Sequence, residues 1–134
     1  MKYMDSCVLV SAALDSGPKG IHSRALIKKV EDGEPAAISA LTIDEVCWAL
    51  LNNRKDRKKA IDYAESLFKI ADLQITPVTR SDAYQSLAAM RKYPHLRPRD
   101  AIHLAVAMRL GAEAIVSDDK DFDGIKEVRR ERVS

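Results

Sequence analysis

Little in this sequence of 134 residues announces a function by its abundance. There are two cysteines, and Cys7 and Cys47 do not have the C-x-x-C spacing of a zinc or redox site. The expectation is two reduced, mostly buried thiols in a cytoplasmic protein. Five glycines and five prolines punctuate the chain singly, as between Ser16 and Gly20 and around Pro94 to Pro98, so no linker, repeat or low-complexity tract is expected. Charge of one sign is not in surplus: 22 basic against 20 acidic side chains leave +2. Any polyanion-binding reading must therefore rest on local patches. Long apolar runs are missing too, because Ala101 to Val116 is broken by His103, Arg109 and Glu113, and no membrane association is expected. Lys2 ahead of Cys7 to Leu14 superficially resembles a leader, but Asp5 interrupts it and no good cleavage site precedes Asp15. The length suits a single domain, residues 1–134, able to bury its own core.

What is present is an alternation of short apolar stretches and helical patterns. Lys2 to Met4 reads as a strand feeding a helix that begins after Asp5 and stops at Ser16-Gly17-Pro18. A second helix is expected over His22 to Val30, a strand over Pro35 to Ala40, and a helix from about Ile43 to Leu51. After the basic turn Asn53-Arg54-Lys55, Ile61, Ala64, Leu67, Phe68 and Ala71 recur at helical spacing and predict a long amphipathic helix. A third strand spans Leu73 to Thr76. Helices follow over Ser81 to Lys92 and Pro98 to Leu110, the second closed by Gly111. Ala114 to Ser117 predicts a fourth strand, and Glu127 to Val133 a weak edge strand. The alternation implies an α/β fold with a mostly parallel sheet of four to five strands, covered by helices on both faces. Sites in such folds form where the carboxyl ends of strands meet the amino ends of helices.

Acids gather where that edge should be. Ile115 to Gly124, IVSDDKDFDG, runs an apolar segment into Asp118, Asp119, Asp121 and Asp123. An acidic turn is one explanation. A calcium loop is another, but the position that needs a bidentate glutamate is Arg130, and Ala114 to Ser117 is too short and β-prone for an entering helix. Asp5 follows the first strand, Glu45 sits early in the helix after the second, and Asp100 lies in the first turn of its helix. Each has a local explanation: Thr42-x-x-Glu45 as a capping box, Asp5 and Asp119 as N-caps, Asp100 at a helix dipole. Together with Asp118, all project toward one edge, where carboxylates repel unless a cation neutralises them. Mg²⁺ or Mn²⁺ does so with oxygen ligands and retained waters, and enables phosphodiester hydrolysis.

Four stretches together resemble the PIN-domain family, most closely its VapC-type toxin ribonucleases of toxin-antitoxin systems. They are Tyr3-Met4-Asp5-Ser6, Ser39 to Val46, Arg99-Asp100-Ala101-Ile102-His103-Leu104-Ala105, and Val116-Ser117-Asp118-Asp119-Lys120-Asp121-Phe122. The resemblance implies a three-layer α/β/α sandwich, an Mg²⁺- or Mn²⁺-dependent endoribonuclease acting on RNA, frequent homodimers and inhibition by a small antitoxin protein. It matches Asp5, Glu45, Asp100 and Asp119 to the family's acidic quartet. Asp5 and Asp100 would be the main metal ligands, Glu45 a ligand through water or a positioner of the attacking water, and Asp119 a ligand or second-site acid. Ser6, Ser117 and His103 would support these acids rather than bind the ion. Two departures stand out: Cys7 occupies a position where the family has Ser, Thr or Asn, and Asp118 competes with Asp119.

Other candidates have local readings. His103, three residues after Asp100, could ligate metal, but a packed or supporting role suits an oxygen-rich site better. His22 and His95 read as surface residues. Arg97 and Arg99 flank Asp100 and are candidates for RNA-phosphate contacts. The run Arg54, Lys55, Arg57, Lys58 and Lys59 reads as a solvated helix start, and Trp48 and Tyr84 as core or interface packing. Two alternatives to an enzyme remain at this point, a non-catalytic module binding RNA or a protein partner, and a receiver-type phosphoacceptor domain. The second normally has an acidic pair after the first strand, whereas Asp5 is followed by Ser6-Cys7.

Overall fold

Residue alternation along three short strands divides the core in two. In the computed structural model, which describes residues 1–134 except for the side chain of Arg54, Met4, Ile38 and Val116 belong to one buried cluster. Their strand neighbours Tyr3, Ala37 and Ile115 belong to another. Successive side chains of a strand point to opposite faces, so the sheet is the middle layer of a three-layer α/β/α sandwich. Its strands are β1 (Lys2–Met4), β2 (Ala36–Ser39), β3 (Leu73–Thr76), β4 (Ala114–Val116) and β5 (Arg129–Glu131), in the spatial order β3-β2-β1-β4-β5. Every pairing is parallel. Every residue of β2 and β4 is buried, as a sheet covered on both faces requires.

The helices are α1 (Ser6–Leu14), α2 (Pro18–Glu31), α3 (Ala40–Arg54), α4 (Arg57–Leu67), α5 (Arg80–Lys92) and α6 (Pro98–Arg109). Helices α1 to α4 contribute to the cluster containing Val8, Leu9, Val30, Val46, Leu50 and Leu67. Helix α6 covers the other face through Leu104, Val106 and Ala107. It ends at Arg109, and Gly111 two residues on has a φ of 64°, the left-handed conformation that suits glycine after a helix.

Several boundaries differ from the sequence expectation for physical reasons. Helix α3 begins at Ala40, three positions early, because Ser39 is its N-cap and the Thr42 Oγ1 accepts the Ser39 N–H at 3.1 Å. The capping box is thus Ser39 with Thr42, which leaves the Glu45 carboxylate free of capping duty. Helix α4 stops at Leu67 instead of Ala71, and Phe68 is 63% exposed. Strand β4 ends at Val116, and the edge strand shrinks to Arg129–Glu131. Trp48 and Tyr84 are not core residues; they are 64% and 72% exposed.

One polar contact ties α5 to α6. Asp82, 2% exposed, receives Arg109 Nε at 2.8 Å and Nη2 at 2.9 Å, and also accepts the Thr79 N–H at 2.9 Å. Burial alone would push this carboxyl up, but the Arg109 and Thr79 donors outweigh it and hold it below the usual aspartate range. A depressed native value gives stability that is present at neutral pH and lost as pH falls through that value. Because Arg109 is partly in solvent, Asp82→Ala is expected to cost about 2 kcal/mol. Urea unfolding at neutral pH checks this, and the gap between the two proteins should narrow in acid.

Candidate active site

The carboxyl ends of β1, β2 and β4 open onto one edge. Asp5 leaves β1 in extended conformation and caps α1, its Oδ1 accepting the Ser6 N–H at 2.8 Å. Its other oxygen accepts the Ser117 hydroxyl at 2.7 Å. That hydroxyl also accepts the Asp119 N–H at 3.0 Å, so one buried serine holds the first acid and the loop of the last. The contact answers the departure at Cys7. The thiol lies 3.7 Å from Ser117 Oγ and is pushed up to about 12, first by burial and then by the charge of Asp5. It stays protonated while Ser117 orients Asp5. The support expected of Ser6 comes from its backbone N–H.

Glu45, one turn into α3, bonds the Nε2 of His103 from α6. His103 is fully buried, and its Nδ1 meets the Tyr3 hydroxyl at 2.7 Å. Ligand atoms of Asp5, Glu45 and His103 lie within 4.8 Å of one another, as do those of Asp100, Asp119 and Asp121. Asp100 links the two groups, since the charge of Asp5 acts on it as well as that of Asp119. Burial first, then the charges of Asp119 and Asp5, push the Asp100 carboxyl up to about 6. Such a rise is what converging carboxylates show when nothing neutralises them.

Asp118 and Asp119 separate at this point. Asp119 caps the 3₁₀ turn Lys120–Phe122 and accepts the Asp121 N–H at 2.9 Å, with its carboxylate beside Asp100. Asp118 points elsewhere: Oδ1 accepts the Val133 N–H at 3.1 Å and Oδ2 lies 3.4 Å from Lys19 Nζ. The expectation that all five acids face one edge is therefore corrected to four, with Asp121 joining them. Asp121 comes there through the turn that Asp119 caps, and its aspartate-rich surroundings masked it in the sequence.

The donor set fits a hard divalent cation. It consists of carboxylate oxygens on four chain segments, partly buried, with excess negative charge. The Nε2 of His103 is engaged by Glu45.

Residues 2–128 match the model of the PIN domain. The chain belongs to the PIN-domain family. It is 25% identical over 132 residues to the Mycobacterium tuberculosis protein ribonuclease VapC13, covering 97% of this chain and 98% of that one. Among solved structures it is similar to a toxin-antitoxin complex from Klebsiella pneumoniae, at 25% identity and a TM-score of 0.68, covering 96% of this chain and 95% of that one. It also shares its fold with M. tuberculosis VapC20, a sarcin-ricin loop cleaving toxin, at 19% identity and a TM-score of 0.76, covering 96% and 99%.

At the rim of this PIN domain, the side chain of Arg97 is 76% exposed, its guanidinium 3.9 Å from Asp100 and 3.8 Å from Asp121. Arg99 is exposed beside it. His95 is a surface residue whose Nε2 meets the Asp121 carbonyl at 2.9 Å, and exposed His22 bonds the Pro18 carbonyl. In the basic run, Lys58 pairs with Asp62 along α4, and the side chain of Arg54 lies outside the described residues. Among the described residues, no helix is long and apolar enough to cross a membrane.

Proposed function

We propose that this PIN domain, acting as a single unit, is a divalent-cation-dependent endoribonuclease and the toxin of a toxin-antitoxin pair. One observation carries the reading: Asp5, Glu45, Asp100 and Asp119 converge on one sheet edge, each held there by a named contact or by its place in a helix turn. Asp5, Asp100 and Asp119 would hold Mg²⁺ or Mn²⁺, with Glu45 beside them binding through water. When bound, such an ion supplies charge neutralisation and a water of lowered pKa for phosphodiester hydrolysis. The chain's own contributions are distinct. Glu45 orients the attacking water, Ser117 fixes Asp5, and Arg97 and Arg99 draw the phosphate backbone to an edge that would otherwise repel it.

The names of the relatives support RNA as substrate and an antitoxin as partner; the small size of that partner and a cytoplasmic location are part of the proposal. A homodimer is part of the proposal, supported by the exposed Trp48, Tyr84, Leu87 and Phe68. The intact acidic quartet argues against a binding module that has lost its activity.

Cleavage of an RNA oligonucleotide in Mn²⁺, abolished by excess EDTA, is the expected outcome; cleavage that persists in EDTA would reject it. A second readout needs no substrate. Folded Asp100 keeps its proton up to about pH 6, whereas an unfolded aspartate loses it near about pH 4. Between these values the folded state binds more protons, so metal-free stability falls as pH rises through the window. Mn²⁺ should therefore raise the melting temperature by about 5 °C at neutral pH when near-saturating, and by much less near about pH 5. Scanning fluorimetry at the two pH values checks this.

A further inference from the structure

A chain of hydrogen bonds runs from the middle of the sheet to the site edge. Tyr3 in β1 and His103 in α6 are both fully buried, and their contact joins residues 100 positions apart in sequence. The chain continues from His103 Nε2 to Glu45 Oε1 in α3. It thereby connects the three elements that present Asp5, Asp100 and Glu45.

We infer that Tyr3 and His103 are positioning residues that fix the Glu45 carboxylate, committing Oε1 to the imidazole and leaving Oε2 alone to face the reacting water. The inference rests on the ribonuclease reading for what Glu45 orients, and on this chain's packing for how it is held. The proton positions follow from the contacts. A carboxylate oxygen against a ring nitrogen at hydrogen-bonding distance requires a proton between them, because two lone pairs repel. An ionised Glu45 carboxylate can only accept, so Nε2 carries the hydrogen and donates to it whatever the ring's charge, which takes His103 out of the ligand set although it sits within reach of Asp5. In the neutral ring Nδ1 is then the acceptor, and the Tyr3 hydroxyl donates to it. Burial, the largest influence, pushes that hydroxyl up to about 12, so it retains its proton. The aromatic ring of Tyr3 also lies 5.7 Å from the imidazole, tilted at 55°, which closes the pocket against rotation of the ring. A buried histidine with both nitrogens engaged has one orientation, and Glu45 inherits it.

The substitutions Tyr3→Phe, His103→Gln and His103→Asn separate positioning from packing. Phenylalanine keeps the ring and loses only the hydroxyl. Glutamine places an amide N–H near the former Nε2, whereas asparagine reaches only as far as Nδ1. Expected are a fall in kcat of about tenfold for Tyr3→Phe with KM within about twofold, and a fall of about a hundredfold for His103→Asn. His103→Gln should recover most of the lost rate. Equal loss in both His103 variants, or wild-type kcat in Tyr3→Phe, would overturn the inference. A readout independent of cleavage is nitrogen-proton correlation NMR of the His103 ring, which should show hydrogen on Nε2 in the wild type and an exchanging tautomer in Tyr3→Phe. Hydrogen on Nδ1 alone would also overturn it. Wild-type protein with the Nε2 proton and no RNA cleavage in Mn²⁺ would remove the ribonuclease reading while sustaining the Tyr3–His103 support.

Discussion

Asp100→Asn is expected to lower RNA cleavage by about a thousandfold, roughly 4 kcal/mol of transition-state stabilisation, while raising the melting temperature of the metal-free protein. The two effects share a cause. Burial and the charges of Asp119 and Asp5 make the ionised carboxyl of Asp100 unfavourable, so a neutral isostere relieves the fold. The same charge is what a cation would use, so its removal costs the chemistry. Asp5→Asn should lose as much activity but without the gain in stability, because an amide oxygen can still accept the Ser6 N–H while the amide NH2 replaces the acceptor of the buried Ser117 hydroxyl. Initial cleavage rates and thermal melts on the same samples check both. Loss of activity together with large destabilisation in Asp100→Asn would mean that Asp100 is structural.

The adjacent pair Asp118 and Asp119 should separate cleanly. Asp119→Asn is expected to lower cleavage by at least about tenfold, or about 1.4 kcal/mol, because its carboxylate sits with Asp100 and Asp121. Asp118→Asn should leave cleavage within about twofold, since its oxygens serve the Val133 N–H near the end of the chain and Lys19 at the start of α2. Its cost belongs to stability, at about 1 kcal/mol for a hydrogen bond to a charged group in partly exposed surroundings. Rates measured side by side in saturating Mn²⁺ decide the ranking, and the reverse order would show that the last acid is Asp118.

The strand ends and their acids were legible because they follow from short-range rules. The parallel alternation of strands and helices brings Asp5, Glu45 and Asp100 to one edge, whereas Asp118, expected there too, is turned away by the Val133 N–H and Lys19. The helix boundary at Ser39 was harder. Thr42-x-x-Glu45 fits the usual capping pattern and Ser39-x-x-Thr42 does not, yet the box forms at Ser39 because the backbone arrives there from β2. The exposure of Trp48 and Tyr84 was not legible, because apolar identity does not say which face of a helix a neighbouring element will cover. Nor was the Tyr3 to His103 contact. Spacing places His103 on the helical face of Asp100, but its partner lies 100 residues away and is defined by the sheet order alone.

The central claim is that these carboxylates support attack by water on an RNA phosphodiester. The chemistry of the new ends tests it most directly. RNA cleaved by the Mn²⁺-loaded protein in heavy-oxygen water should carry one solvent oxygen in a linear terminal phosphate, and an oligonucleotide lacking the 2′-hydroxyl at the cleavage position should still be cut. Ends bearing a 2′,3′-cyclic phosphate, with no cleavage of the deoxy-substituted oligonucleotide, would show that the RNA's own hydroxyl attacks and would contradict the account.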